Sequence, residues 1–141
     1  MRIAVDAMGG DHAPREIVAG AWRAVRELKG LSRLFLVGIP EAIEAELPPR
    51  REWPPTLEIV PASETIGMGE PPAMAVRRKK DSSINRMADL VRTGQADAMF
   101  SAGNTGAVVA ASMLKLRTLE GVLRPAIATV MPTRRGPFVL I

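Results

Sequence analysis

Short apolar runs alternate with segments of helical periodicity along this chain, and this alternation most restricts the fold it can adopt. Apolar residues recur at helical spacing from Ile17 to Leu28, for example, between the first two of these runs. Strands that alternate with helices are typical of a doubly wound, mostly parallel sheet. We therefore predict a three-layer α/β fold, with residues 1–141 in a single domain. The predicted strands are Ile3–Val5, Leu34–Val37, Leu57–Val60 and Asp97–Phe100.

Helices, loops and two later strands complete the predicted order of elements. Pro48–Pro55 is predicted to be a surface loop, because proline removes a backbone donor and fixes the dihedral angle φ. A long irregular stretch that contains Gly67 and Pro72 is predicted before Ser82. Helices are predicted from Pro14 to Lys29, Glu41 to Leu47, Ser82 to Gly94 and Thr105 to Arg117. The further predicted strands are Ala126–Met131 and Phe138–Ile141.

The last predicted strand, Phe138–Ile141, is apolar up to the final residue. Chain termini usually lie at the protein surface, where a fully apolar strand is unfavourable. We therefore expect these residues to be the N-terminal portion of a longer chain, with the fold truncated at its C-terminus.

The composition excludes several kinds of site. Cysteine is absent, which removes thiolate metal sites and a cysteine nucleophile. His12 is the only histidine, so a histidine-rich metal site is excluded as well. No metal and no cofactor are therefore expected. No apolar run approaches the roughly 18 residues that span a bilayer, and the N-terminus lacks a signal-peptide core. Together with the absence of cysteine, these features predict a cytoplasmic protein.

The charge balance points to small anionic partners. Lys and Arg number 19 and Asp and Glu number 15, which gives a formal net charge of +4. That excess neutralises few nucleic-acid phosphates. Aromatic residues make up 4% of the chain and tyrosine is absent, so base-stacking surfaces are also lacking. We predict no nucleic-acid binding.

Three loops are candidate sites, because ligands of open α/β sheets bind beyond the carboxyl ends of the strands. In the first loop, Gly9 and Gly10 stand between the carboxylates of Asp6 and Asp11. Adjacent glycines allow a ligand to approach the backbone closely. The same residues also suit a tight strand-to-helix turn, with Asp11 near the positive helix end. Both interpretations stay open.

The second loop, Ser101–Gly106, leads from a predicted strand into a helix. Asn104 and Thr105 can cap that helix or donate hydrogen bonds to a ligand. A simple N-cap does not need the flanking Gly103 and Gly106, so we favour an anion site built on the helix N-terminus. Neither glycine loop matches the dinucleotide fingerprint or the P-loop.

The third loop is a basic run, Arg77–Lys80, followed by Asp81, Ser82 and Ser83. A basic run is usually a solvated face. This one leads into a serine-capped helix N-terminus, where its cations would concentrate phosphate or the surface of an acidic protein.

Five motifs occur in order along the chain: Asp6–Asp11 with Pro14, Met68–Glu70 with Pro72, Arg77 with Lys80–Ser83, Ser101–Ala107, and Gly121 with Arg124–Ala126. They resemble the PlsX family of bacterial phosphate acyltransferases over essentially all 141 residues. The resemblance implies transfer of a fatty acyl group from acyl carrier protein to inorganic phosphate, giving acyl phosphate. A membrane glycerol-phosphate acyltransferase would then use that product in phospholipid synthesis.

The resemblance also carries structural expectations. Family members are similar in fold to isocitrate and isopropylmalate dehydrogenases, are homodimers, and are cytoplasmic with some peripheral membrane association. Family chains run to more than twice this length, which agrees with the expectation of an N-terminal portion.

Phosphate is already a nucleophile, so the predicted site works by positioning and electrostatics. The backbone of residues 103–106 would bind phosphate or the developing oxyanion, while Asp6 or Asp11 orients a donor or accepts a proton. The candidate catalytic residues are Asp6, Asp11 and Asn104. The candidate phosphate and substrate contacts are Gly9, Gly10, Arg77, Lys80, Ser82, Ser83, Ser101, Gly103, Asn104, Thr105 and Gly106.

Acyl carrier protein is acidic and requires a basic docking surface on its partner. Arg77, Arg78, Lys79 and Lys80 are the candidates, with Arg50-Arg51 as a further one. The acyl chain needs an apolar slot, which flexible methionines can line, although at helical spacing they also suit an ordinary core. The methionines in question are Met68, Met74, Met87, Met99 and Met113.

Two other functions stay open. One is a phosphotransacetylase-like transfer that uses a coenzyme A thioester. The other is a non-catalytic module that binds phosphate or a nucleotide.

Overall fold

A four-stranded parallel sheet forms the centre of the protein. The computed structural model describes residues 1–123 and 125–141. The strands lie in the order β3-β2-β1-β4, and every neighbouring pair is parallel. The predicted α/β class with a mostly parallel sheet is confirmed. The strands are β1 (Arg2–Asp6), β2 (Arg33–Gly38), β3 (Leu57–Pro61) and β4 (Ala98–Phe100).

Helices flank this sheet, and alternate strand residues feed two apolar clusters on its opposite faces. Leu34 and Leu36 of β2 pack into the cluster that holds the first two helices. Phe35 and Val37 pack into the cluster that holds the fourth and fifth helices. The helices are α1 (Arg15–Glu27), α2 (Pro40–Glu44), α3 (Pro72–Arg78), α4 (Ser83–Arg92) and α5 (Thr105–Lys115), and a short 3₁₀ turn spans Arg50–Glu52.

Caps define where the two helices on the β4 side begin. Ser82 precedes α4, and its hydroxyl oxygen accepts from the backbone N–H of Asn85 at 3.4 Å. Asn104 precedes α5, and its Oδ1 accepts from the backbone N–H of Ala107 at 3.0 Å. Both residues belong to the types that the sequence predicts at helix starts.

The prediction of an irregular stretch before Ser82 was wrong in part, because α3 lies within it. Pro72 occupies the first turn of α3, where a missing N–H costs nothing. Only Ala75 and Val76 of this helix are buried. Two buried positions in seven residues leave too little periodicity for the pattern to be read from the sequence.

The two later strands are β5 (Thr129–Met131) and β6 (Phe138–Leu140). They pair with each other in an antiparallel two-stranded sheet, in which Val130 faces Val139. These strands were predicted, and they form a separate sheet from β1–β4. The predicted motif at Gly121 includes Arg124, which lies outside the described residues.

None of the helices within the described ranges is both long and apolar enough to cross a bilayer.

Candidate active site

The strand order places two glycine-rich loops side by side at one edge of the sheet. From β1 the chain builds outward to β2 and β3, and it then crosses back to add β4 on the other side of β1. Because β1 and β4 are parallel neighbours, their carboxyl ends meet at one edge. Such a reversal of strand order is where open α/β sheets bind ligands. The loops that follow β1 and β4 are therefore the candidate site.

A buried carboxylate joins these loops. Asp6, at the end of β1, has only 2% of its surface exposed. Its Oδ1 accepts from the backbone N–H of Met8 at 3.0 Å, and its Oδ2 accepts from the hydroxyl of Ser101 at 2.8 Å. The Ser101 oxygen in turn accepts from the backbone N–H of Gly103 at 3.0 Å. Both Asp6 oxygens are thus engaged within the protein, and the carboxylate fixes the turn after β4.

Two glycines allow the loops to touch. A Cβ atom on Gly9 would lie 2.5 Å from Asp6 Oδ2, 2.8 Å from Ser101 Oγ and 2.9 Å from the backbone nitrogen of Gly103. A Cβ atom on Gly103 would lie 3.1 Å from the Cα of Gly9. Gly10 has a φ of 113°, a conformation that other residues rarely adopt. The structure therefore brings Asp6, Gly9, Ser101 and Gly103 together.

Asn104 is buried and uses its side chain inside the protein. Besides capping α5, its Nδ2 donates to the backbone carbonyls of Gly67 at 3.1 Å, Met68 at 3.3 Å and Glu70 at 3.1 Å. Only 6% of the residue is exposed. Its predicted role as a direct phosphate contact stays a prediction, and the contacts that it makes in this structure are to the protein.

The segment from Gly67 to Glu70 is held from a second side by Lys79. The Lys79 ammonium donates to Glu70 Oε1 at 2.5 Å and to the carbonyl of Thr65 at 2.6 Å. The backbone N–H of Gly67 also donates to Glu70 Oε1, at 2.7 Å. Hydrogen bonds from Lys79 and then from Gly67 hold the pKa of Glu70 below its ordinary value. The motif Met68–Glu70 points to this segment, whereas the sequence predicts Lys79 only as part of a docking surface.

The N-terminus of α5 presents backbone donors beside this segment. Thr105 and Gly106 are exposed. Within the described part of the chain, their N–H groups have no hydrogen-bond partner in the protein. A Cβ atom on Gly106 would lie 2.6 Å from Cγ of Pro72, so glycine allows α3 to start against α5. Free donors at the positive end of a helix favour a bound anion.

The basic segment divides into two parts. Lys79 is tied to Glu70, whereas Arg77, Arg78 and Lys80 are exposed and form no ion pair among the described residues. Ser82 and Ser83 are buried at the start of α4, with 0% and 1% of their surfaces exposed. The structure does not present these serines at the surface with the cations.

The two remaining candidates of the first loop differ from Asp6 in exposure. Asp11 is exposed, and His12 beside it is exposed as well. Gly10 lies against Ala102, because a Cβ atom on Gly10 would come within 3.4 Å of the Ala102 Cβ. Asp11 is thus a solvent-facing carboxylate in the loop that contacts the turn after β4.

The five methionines do not form one slot. Met87 is buried in the core and Met99 packs against it, while Met68, Met74 and Met113 are exposed. An apolar groove of about 410 Å³ lies elsewhere, between α1 and the sheet, where Val5, Ile17 and Phe100 line it. Across the described residues, no group of three side chains is placed to hold a metal ion.

Comparison with known proteins shows the family of the chain that forms these glycine loops. A family described as fatty acid synthesis protein matches residues 1–141. The chain belongs to this family. The resemblance carried by the five motifs is thereby confirmed.

Relatives named phosphate acyltransferase cover the whole chain or nearly so. The protein from Nostoc is 56% identical over 142 residues, which is 100% of this chain and 41% of the relative. The protein from Desulfitobacterium hafniense is 53% identical over 141 residues, again 100% of this chain and 41% of the relative. The protein from Bordetella parapertussis is 49% identical over 137 residues, 96% of this chain and 39% of the relative. The chain thus spans about two fifths of the length of these curated relatives.

Proposed function

We propose that the full-length protein transfers a fatty acyl group from the thioester of acyl carrier protein to inorganic phosphate. One observation carries the proposal: the loops after β1 and β4 contact each other beside the free N–H groups of α5. Membership of the family and the names of its relatives support the same reaction. The product would be acyl phosphate, for a downstream membrane glycerol-phosphate acyltransferase in phospholipid synthesis.

In the proposed reaction a phosphate oxygen attacks the thioester carbonyl. A C–O bond forms, the C–S bond breaks, and the carrier leaves as a thiol after taking up a proton. The N–H groups of Thr105 and Gly106 would hold the phosphate. Each charge-assisted hydrogen bond contributes about 1.5–3 kcal/mol, and the helix end contributes about 0.3–1 kcal/mol. Two such bonds reach the roughly 4 kcal/mol that a millimolar dissociation constant requires.

The carboxylates of the first loop take different roles in this proposal. Asp6 is fixed by Met8 and Ser101, so it orients the turn that carries the donors. Asp11 is exposed on the facing loop and is the candidate to accept the phosphate proton. Phosphate attacks directly, so the absence of cysteine is compatible with the reaction.

The exposed cations Arg77, Arg78 and Lys80 are proposed to dock the acidic carrier protein. Raising the ionic strength should then weaken carrier binding. We further propose a homodimer in the cytoplasm with peripheral membrane contact, and an isocitrate dehydrogenase-like arrangement of the complete chain. The β3-β2-β1-β4 order, with its reversal beside β1, is compatible with that arrangement.

Release of the carrier thiol tests the reaction. The full-length protein should release free thiol from acyl carrier protein only when phosphate is present. Equal or faster release from acyl coenzyme A would favour the phosphotransacetylase-like alternative. Phosphate binding without thiol release would favour a non-catalytic module.

A proline substitution tests the donors themselves. Thr105→Pro removes one N–H at the first helical position, where proline is tolerated. Asn104 before it already has extended backbone (φ −63°, ψ 101°), as a residue preceding proline requires. We expect about a tenfold to hundredfold loss of phosphate affinity, the equivalent of one charge-assisted bond. Thr105→Ala, which keeps the N–H, is the matched control, and equal affinity in both variants would contradict the proposal.

A further inference from the structure

We propose that Asn104 is a positioning residue, which acts on the reaction by holding the segment 67–70 beside the start of α5. This inference rests on the proposed function. The sequence alone assigned Asn104 to the reacting atoms, as a donor to phosphate or to the oxyanion. Its contacts place it behind the site, between the helix that carries the donors and a loop that borders them.

Both ends of the Asn104 amide are committed. Oδ1 accepts from the N–H of Ala107 and fixes the first turn of α5. Nδ2 donates to three carbonyl oxygens of a single segment, those of Gly67, Met68 and Glu70. One buried side chain therefore sets the segment and the helix start relative to each other.

Few other contacts hold the segment. Gly67, Met68 and Gly69 are exposed, and apart from Gly69 itself and its two chain neighbours no described atom lies within 4 Å of the Cβ position of Gly69. On its outer side the segment is tied by the ion pair between Lys79 and Glu70 at 2.5 Å. Without Asn104 the segment would be held by that outer tie and by its chain neighbours. The exposed N–H groups of α5 would then lose a fixed border on that side.

The test compares three variants of the full-length protein. Asn104→Ser keeps an N-cap residue but removes the amide donors. Lys79→Gln releases the same segment from its outer side. Trp53→Phe is the matched control. The Trp53 indole N–H also holds a loop, because it donates to the carbonyl of Pro48 at 2.8 Å. That loop precedes β3, which lies at the other end of the strand order from β4.

Two readouts are needed, the kinetics with phosphate and amide hydrogen exchange at residues 67–70. We expect Asn104→Ser and Lys79→Gln each to raise the phosphate KM, the former at least tenfold, with kcat within threefold of the starting protein. Exchange at the hydrogen-bonded amides of this segment, those of Gly67 and Glu70, should become at least tenfold faster in both. Trp53→Phe should change neither readout.

Several outcomes would overturn the assignment. A higher KM in Asn104→Ser alone, with exchange unchanged, would mean that Asn104 contacts phosphate directly. A fall in kcat with KM unchanged would make it a catalytic residue. If the unsubstituted protein releases no thiol with phosphate, the proposed function fails, and faster exchange in Asn104→Ser would show that only the structural tie is correct.

Discussion

Replacing Gly9 by alanine tests the contact between the two loops most directly. The φ of Gly9 lies outside the left-handed region, so its backbone can accept alanine without strain of its own. The added Cβ would lie 2.5–2.9 Å from three atoms, on Asp6, Ser101 and Gly103. These are a buried carboxylate oxygen, the hydroxyl bonded to it and a backbone nitrogen, none of which can turn away as a flexible chain end would.

Two responses are open to the protein, and both are costly. If the loops stay together, the extra carbon overpacks the contact, which typically costs about 1–3 kcal/mol. If they separate, the charge-assisted bond between Asp6 and Ser101 is lost, at about 1.5–3 kcal/mol. The protein takes the less costly response, so we expect Gly9→Ala to lower the free energy of unfolding by about 1–3 kcal/mol.

Urea unfolding followed by circular dichroism measures this difference. Gly20→Ala is the matched control, because Gly20 lies inside α1 and, apart from its chain neighbours and the backbone of that helix, no described atom is within 4 Å of its Cβ position. Alanine in that helix should raise the free energy of unfolding by up to about 1 kcal/mol. A Gly9→Ala protein within about 0.5 kcal/mol of the parent would refute the loop contact described here.

Three further predictions concern individual contacts. Asp6→Asn and Ser101→Ala should show a coupling free energy of about 1–3 kcal/mol in a double-mutant cycle measured by urea unfolding, and additive effects would refute their bond. Ser82→Ala should lower the free energy of unfolding by about 1 kcal/mol without weakening phosphate binding by calorimetry, because Ser82 is a buried cap. Hydrogen bonds from Ser63 lower the pKa of Asp81 to about 2, and those from Arg2 do the same for Asp97. Because both folded-state pKa values lie below the unfolded value of 3.8, the two ionised carboxylates stabilise the folded protein above about pH 4, and this stabilisation is lost as the pH falls towards 2. Asp81→Asn should therefore reduce the loss of stability between about pH 4 and pH 2 in acid unfolding curves.

The fold could be predicted because its signals are local. Each strand of the main sheet is a short apolar run, and α1 and α4 each carry an apolar stripe. Seven-residue α3 could not be recognised, since only Ala75 and Val76 mark its inner face. The pairing of β5 with β6 apart from the main sheet also depends on contacts that neither run specifies alone.

The sequence indicates which loops form the candidate site, but it does not indicate the contacts that their side chains make. Glycines in both loops predict that a ligand can approach the backbone closely, and the structure shows a close approach between Gly9 and Gly103 of the two loops. The partners of Asn104 are backbone carbonyls 34–37 residues away, which leave no mark in the sequence. Lys79 stands among similar cations, and only its ion pair with Glu70 distinguishes it from them.

The hydrogen bond between Asp6 and Ser101 joins positions 95 residues apart. Its two ends can meet only when the three-residue strand β4 pairs with β1, which closes a long loop at an entropic cost. A refolding intermediate with β1–β3 paired would contain the first loop without its counterpart. Recovery of anion affinity during refolding would therefore report the pairing of β4 with β1.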